Sequence, residues 1–180
     1  LVGYTEEYIF AACNQPKKFY RTFFIPKKNG KKRKIDEPLP SLKEIQNWIY
    51  QEILCNVKIS SYAKAYVRGK SIKDNARFHR KQKKVLSMDI KDFFPSIGFK
   101  RVLNVFRNIG YRENVAVLLA NLCCLNNCLP QGAPTSPVLS NIIAYKLDSK
   151  IVEYIGKEKI RYTRYADDLT FSGDFNEGDI

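Results

Sequence analysis

At 180 residues, with 44% hydrophobic residues and a formal net charge of +13, the chain can build one sizeable core or two small packed lobes. No apolar run reaches the roughly 18 residues of a membrane span, and no signal peptide heads the sequence. Five cysteines without paired CxxC spacing and a single histidine argue against a zinc site or a disulfide framework, and for buried free thiols in a reducing cytoplasm.

The predicted elements follow in chain order. Nine basic residues and no acid lie between Lys17 and Lys34. Within that stretch, residues 19–26 and 33–36 read as two strands around Lys28-Asn29-Gly30-Lys31, because Asn-Gly tolerates the positive φ of a tight hairpin. A helix is predicted over 42–56, with Ser41 and Glu44 as a capping box and Leu42, Ile45, Ile49 and Ile53 as its apolar stripe. A short helix follows over 72–80. Residues 85–90 read as a buried strand; alternation puts Leu86, Met88 and Ile90 on one face and Asp89 on the more open one. Helices are expected over 100–109 and 112–125, and from Ser136 with Pro137 in its first turn. Strands at 160–165 and 168–172 are joined by a tight turn at Ala166-Asp167. A second basic stretch runs from Lys64 to Lys91. Aromatics interleaved with both stretches (Phe19, Tyr20, Phe23, Phe24, Tyr62, Tyr66 and Phe78) suit a polyanion with bases to stack on, so nucleic acid is the expected partner. The start at Leu1 and the loop-like stretch 173–178 predict a piece of a longer protein.

Two adjacent carboxylates in a hairpin turn repel each other unless a cation sits between them. Mg²⁺ suits such a pair, because it takes a few hard carboxylate oxygens and completes its shell with water and substrate phosphates. Asp89, at the end of a second strand, supplies a third carboxylate. Carboxylates from two strand elements can hold two metals about 4 Å apart, one activating a primer 3′-hydroxyl and the other steadying the leaving pyrophosphate. Between them lies Leu129-Pro-Gln-Gly-Ala-Pro-Thr-Ser-Pro, where Gly132 leaves room for close approach to a ligand.

Asp89-Ile-Lys-Asp-Phe-Phe-Pro-Ser, Leu129-Pro-Gln-Gly-Ala-Pro-Thr-Ser-Pro and Tyr165-Ala-Asp-Asp together resemble three successive motifs of reverse transcriptases, in the right order. The resemblance implies an α/β (α+β) right-hand polymerase fragment, its antiparallel palm sheet backed by helices. Fingers would lie mostly in residues 1–80 and the palm mostly in 81–180, with part of 100–135 packing with the fingers and the thumb missing. It implies two Mg²⁺ ions, with Mn²⁺ as a substitute, held by Asp89, Ile90, Asp167 and Asp168. It places Ile90, Lys91, Asp92 and Phe93 along the incoming triphosphate, Phe94 as the gate against a ribose 2′-hydroxyl, Gln131 beside the nucleotide sugar, and Arg33 with Lys27 on the triphosphate. Implied partners are an RNA template and primer, dNTPs, the DNA product and an effector protein. Asn75-Ala-Arg-Phe-His79 resembles the NAxxH signature of bacterial retron enzymes, which copy their own structured noncoding RNA in phage defence; the bland alternative is an i,i+4 capping or packing pair. Group II intron-type and diversity-generating enzymes, an RNA-templated RNA polymerase and an inactive RNA-binding fragment remain the other readings.

Overall fold

The computed structural model describes residues 3–26, 30–156, 159–176 and 178. Its helices are α1 (Glu6–Asn14), α2 (Pro40–Trp48), α3 (Ile72–Phe78), α4 (Phe93–Ser96), α5 (Phe99–Ile109), α6 (Glu113–Cys123) and α7 (Ser136–Ile155). Its strands are β1 (Tyr20–Pro26), β2 (Lys32–Pro38), β3 (Lys84–Asp89), β4 (Arg161–Tyr165) and β5 (Asp168–Gly173). The mixed α/β class expected from the sequence is what forms. The chain divides into two compact units, one of Leu1–Val57 with Phe94–Leu139 and one of Lys58–Phe93 with Ser140–Ile180.

In the first unit β1 and β2 form an antiparallel hairpin, registered from Tyr20 opposite Pro38 to Pro26 opposite Lys32. Most of β1 is exposed, including Phe23, Phe24 and Ile25. Arg21 bonds Glu37 at 2.5 Å and lies 5.7 Å over the Phe23 ring. The stripe Leu42, Ile45, Ile49 and Ile53 is buried as predicted, but the helix start differs. Pro40 occupies the first turn and Leu39 is the cap, with no side-chain capping bond, because proline there needs no N–H partner. Ser41 and Glu44 instead bond the hydroxyls of Tyr8 and Tyr4, which belong to α1 and the residues before it. After Trp48 the helix widens into a π turn over Ile49–Ile53 and tightens into a 3₁₀ turn over Leu54–Asn56. Gln46 ties three elements together, donating to the Tyr20 hydroxyl at 2.8 Å and to the Leu122 carbonyl at 2.7 Å.

In the second unit the sheet order is β3-β5-β4, antiparallel throughout. Tyr162, Leu169 and Phe171 face Ile155 of α7 and form the core with Phe175. The side chains of Thr163 and Ser172 point the other way, as the period of two requires, and meet the α3 region. β3 is an edge strand and not the buried strand expected: Val85 is 59% and Met88 44% exposed. With a neighbour on one side only, β3 contributes little more than Leu86 to the core, where Ile90 just beyond it also packs. Lysines guard that edge, Lys83 bonding Asp174 and Lys84 the Phe175 carbonyl, which discourages pairing with another chain.

The cysteines are free. Cys123 and Cys124 are buried as expected, and burial pushes the Cys123 thiol up to about 12. Cys55, in the middle of the 3₁₀ turn, departs from that expectation and is exposed, and Cys13 and Cys128 are only half-buried. Among the described residues no helix is long and apolar enough to cross a membrane.

Candidate active site

Antiparallel register sets Asp89 of β3 directly opposite Asp168 of β5. Tyr165 is also opposite Asp168 and closes the β4–β5 hairpin, leaving Ala166 and Asp167 as its two loop residues. Such loops favour turns with positive φ at the first central residue, normally glycine; here Ala166 takes φ 58°, at about 1–2 kcal/mol for a residue with a Cβ. Two hydrogen bonds hold the turn. Arg164 Nη1 donates to the Ala166 carbonyl at 3.2 Å, and the Ile90 N–H donates to the Asp167 carbonyl at 3.0 Å. The second of these fastens the turn to the end of β3, so Asp89, Asp167 and Asp168 share one end of the sheet.

Their charges act on one another. Desolvation, then the Asp167 and Asp89 carboxylates, raise the Asp168 carboxyl above its ordinary value. A raised carboxylate pKa means the folded state holds the proton more tightly than the unfolded chain. Stability therefore falls as pH rises from the ordinary carboxylate value through the folded one. Asp168→Asn is predicted to remove that loss and to raise the neutral-pH Tm by about 2–4 °C, since these partly solvated charges are worth at most about 1 kcal/mol after screening. Thermal melts at pH 4 and pH 7 check this; a lower Tm at pH 7 would contradict it.

The donor set fits a hard divalent cation, whose charge would relieve this repulsion. Ile90 could join only through its backbone oxygen, because its side chain is hydrocarbon and packs against the core. Among the described residues no three Asp, Glu, His or Cys side chains stand gathered as a finished metal cage. Mg²⁺ does not need one; it is commonly bound by one or two carboxylates plus substrate phosphates.

Beneath the turn lies a buried polar network that the sequence reading did not single out. Arg164 is fully buried. Its Nε and Nη2 bond the two oxygens of Asp148 at 2.8 and 3.0 Å, and its Nη1 bonds Asn141 Oδ1 at 3.0 Å. The Tyr162 hydroxyl donates to Asp148 at 2.8 Å, and Asn141 Nδ2 donates to the Ala65 carbonyl at 2.9 Å. The signal was available: strand alternation puts Arg164 on the same face as Tyr162, the face that must meet a helix.

On the opposite face, Asn75 and His79 clamp the sheet. Thr163 Oγ1 donates to Asn75 Oδ1 at 2.5 Å, so it must accept from His79 Nε2 at 2.6 Å. That leaves His79 Nδ1 to accept from the Ser172 hydroxyl at 2.7 Å, a tautomer fixed by the network. Burial, then Arg161 and Lys64, lower the His79 pKa and keep the ring neutral. The i,i+4 pair therefore bonds β4 and β5 of the second unit's sheet, as a packing pair would. The cap of α3 is Ser71 with Asp74.

Lys91 and Asp92 are exposed, Asp92 at φ 50°, while Phe93 is buried. In the first unit Phe94 is half-buried on α4 and Arg33 is exposed on β2. Gln131 is half-buried, and its carbonyl accepts from the Asp36 N–H at 2.8 Å. Asp36, on the strand that carries Arg33, also accepts from the Thr22 hydroxyl at 2.6 Å and pairs with Lys34 at 3.0 Å. A Cβ at Gly132 would stand 2.8 Å from the Asp36 carbonyl oxygen, at φ 135°. Its missing side chain admits the backbone of β2. Gly132→Ala is predicted to cost about 2 kcal/mol or more, from the strained φ and the clash; an unchanged denaturation midpoint would contradict this. Lys27, with Lys28 and Asn29 of the expected hairpin turn, lies outside the described residues.

A family model described as reverse transcriptase (RNA-dependent DNA polymerase) matches residues 25–178. The chain is 41% identical over 155 residues to the retron Ec86 reverse transcriptase of Escherichia coli, covering 85% of this chain and 48% of that protein. It is 37% identical over 171 residues to the retron Mx162 reverse transcriptase of Myxococcus xanthus, covering 85% and 35%. It is 35% identical over 191 residues to the retron Mx65 reverse transcriptase of the same organism, covering 96% and 45%. The chain thus spans about half or less of the length of these relatives.

Proposed function

The chain belongs to the reverse transcriptase (RNA-dependent DNA polymerase) family, and on that premise we propose that the full-length protein copies RNA into DNA as a retron-type enzyme. The observation that carries the reading is the register of β3 and β5, which sets Asp89 opposite Asp168 while Ile90 fastens Asp167 beside them. Identity to several retron enzymes supports the retron assignment. On this reading the palm is the unit that carries the carboxylates and the fingers the unit that carries the basic hairpin, which moves residues 58–80 from the expected fingers to the palm.

Asp89, Asp167, Asp168 and the Ile90 carbonyl would hold Mg²⁺, which supplies charge neutralisation at the phosphates and acidifies the primer hydroxyl. This chain's own work is then positioning. Arg33 would bind the triphosphate, and Gln131, pinned to β2 through Asp36, would orient the nucleotide sugar. The net charge of +13 supplies salt-dependent attraction to the template and primer. Phe94 would crowd a ribose 2′-hydroxyl. Phe94→Ala is predicted to raise ribonucleotide use relative to deoxynucleotides by about 10–100-fold, read as the ratio of kcat/KM values in primer extension on RNA. Unchanged sugar discrimination removes the gate role.

A further inference from the structure

We infer that Arg164 is a positioning residue for the polymerase centre: its buried guanidinium fixes the Ala166-Asp167 turn from beneath, and Asp148 anchors that guanidinium to α7. The inference rests on reading Asp167 and Asp168 as carboxylates of that centre.

The argument starts from what a buried arginine requires. A guanidinium has five N–H donors in a rigid fork and cannot shed its charge. Here Nε and Nη2 form the bidentate pair with Asp148, and Nη1 is divided between Asn141 Oδ1 and the Ala166 carbonyl. Asp148 and Asn141 both lie on the 20-residue helix α7, so the turn is referenced to a long rigid element and not to another loop. The contact falls on the residue that most needs holding, since Ala166 sits at φ 58°, and such strain persists only where the surroundings over-determine it.

Stability alone does not account for this choice. A buried ion pair can often be replaced by apolar residues of similar volume without loss of stability. What apolar residues cannot supply is a donor aimed at the Ala166 carbonyl. The charge is also placed with care. Strand alternation puts Arg164 on the α7 face and Asp168, with Asp89 opposite it, on the other. Asp148 neutralises the arginine on its own face. Arg164 therefore steadies the turn without ion-pairing to the carboxylates that must stay available to a cation.

The test compares the full-length wild type with two variants, Arg164→Lys and the triple Tyr162→Phe/Asp148→Leu/Arg164→Met. Lysine keeps a charge beside Asp148, but its single ammonium cannot span Asp148, Asn141 and Ala166. The triple removes the ion pair without leaving a buried charge or the Tyr162 hydroxyl unpaired, and only Asn141 Oδ1 and the Ala166 carbonyl lose the Arg164 donor. Both are measured for Tm, for kcat and KM of dNTP on an RNA template–primer, and for exchange of the Ile90 amide, which bonds the turn at Asp167. The expected result is a folded protein with kcat lower by about 10–100-fold, KM within about twofold, and Ile90 exchange faster by about tenfold. A folded variant with wild-type kcat overturns the inference, and so does failure of both variants to fold, which would leave Arg164 a purely structural residue. If only one folds, that one decides. If the wild type itself extends no primer, the polymerase reading fails instead, and Ile90 exchange still decides whether Arg164 holds the turn.

Discussion

Asp167→Asn in the full-length protein is expected to leave the fold intact and to cut primer extension on RNA by about 10³-fold or more, about 4 kcal/mol of transition-state stabilisation. The side chain changes by one atom. The turn keeps both of its hydrogen bonds, because they engage the backbone carbonyls of Ala166 and Asp167 and not the carboxylate. Removing the charge also takes away one of the influences that raise the Asp168 carboxyl, so stability should hold or rise. Loss of activity beside a Tm at or above that of the wild type would separate a chemical role from a structural one. Extension within tenfold of the wild type would remove Asp167 from the centre.

The second large effect is on folding. Asp148→Ala should cost about 3–5 kcal/mol, because it strands the Arg164 charge in the interior. Nε and Nη2 of Arg164 lose their acceptors, and so does the Tyr162 hydroxyl, with Arg164 and Asp148 at 0% and 1% side-chain exposure. Water cannot rescue groups so deeply covered without opening the unit. Denaturant titration measures the loss; a cost below about 1 kcal/mol would mean that the guanidinium finds other partners. The contrast with the triple variant is instructive, since removing one partner is expected to do more harm than removing the pair.

How far the residues could be read in advance follows the range of the interactions concerned. The Ala166-Asp167 turn, β4, β5 and the start of α7 at Ser136-Pro137 were legible, because each is specified by neighbours within a few residues. So was the meeting of Asp89 with the Asp167-Asp168 hairpin at one end of the sheet. α1 was missed because it buries only Ala12 and leaves almost no apolar period to read. The cap of α2 was misplaced because Ser41 and Glu44 fit a capping box locally, while the tyrosine hydroxyls that engage them come from far earlier in the chain. β3 looked buried because Val85, Leu86 and Met88 are apolar, yet only sheet order determines which strand lies at an edge. Gly132 and Arg164 share that difficulty. Both were visible as residues, but their partners, the Asp36 carbonyl and Asp148, are set by tertiary structure.

The most direct measurement is single-nucleotide extension by the full-length protein on an RNA template with an annealed primer, in Mg²⁺, with each dNTP supplied alone. The account predicts that the primer grows by one residue only with the dNTP complementary to the template, and that Asp89→Asn abolishes the growth. Growth unaffected by Asp89→Asn, or no growth with any dNTP, would contradict it.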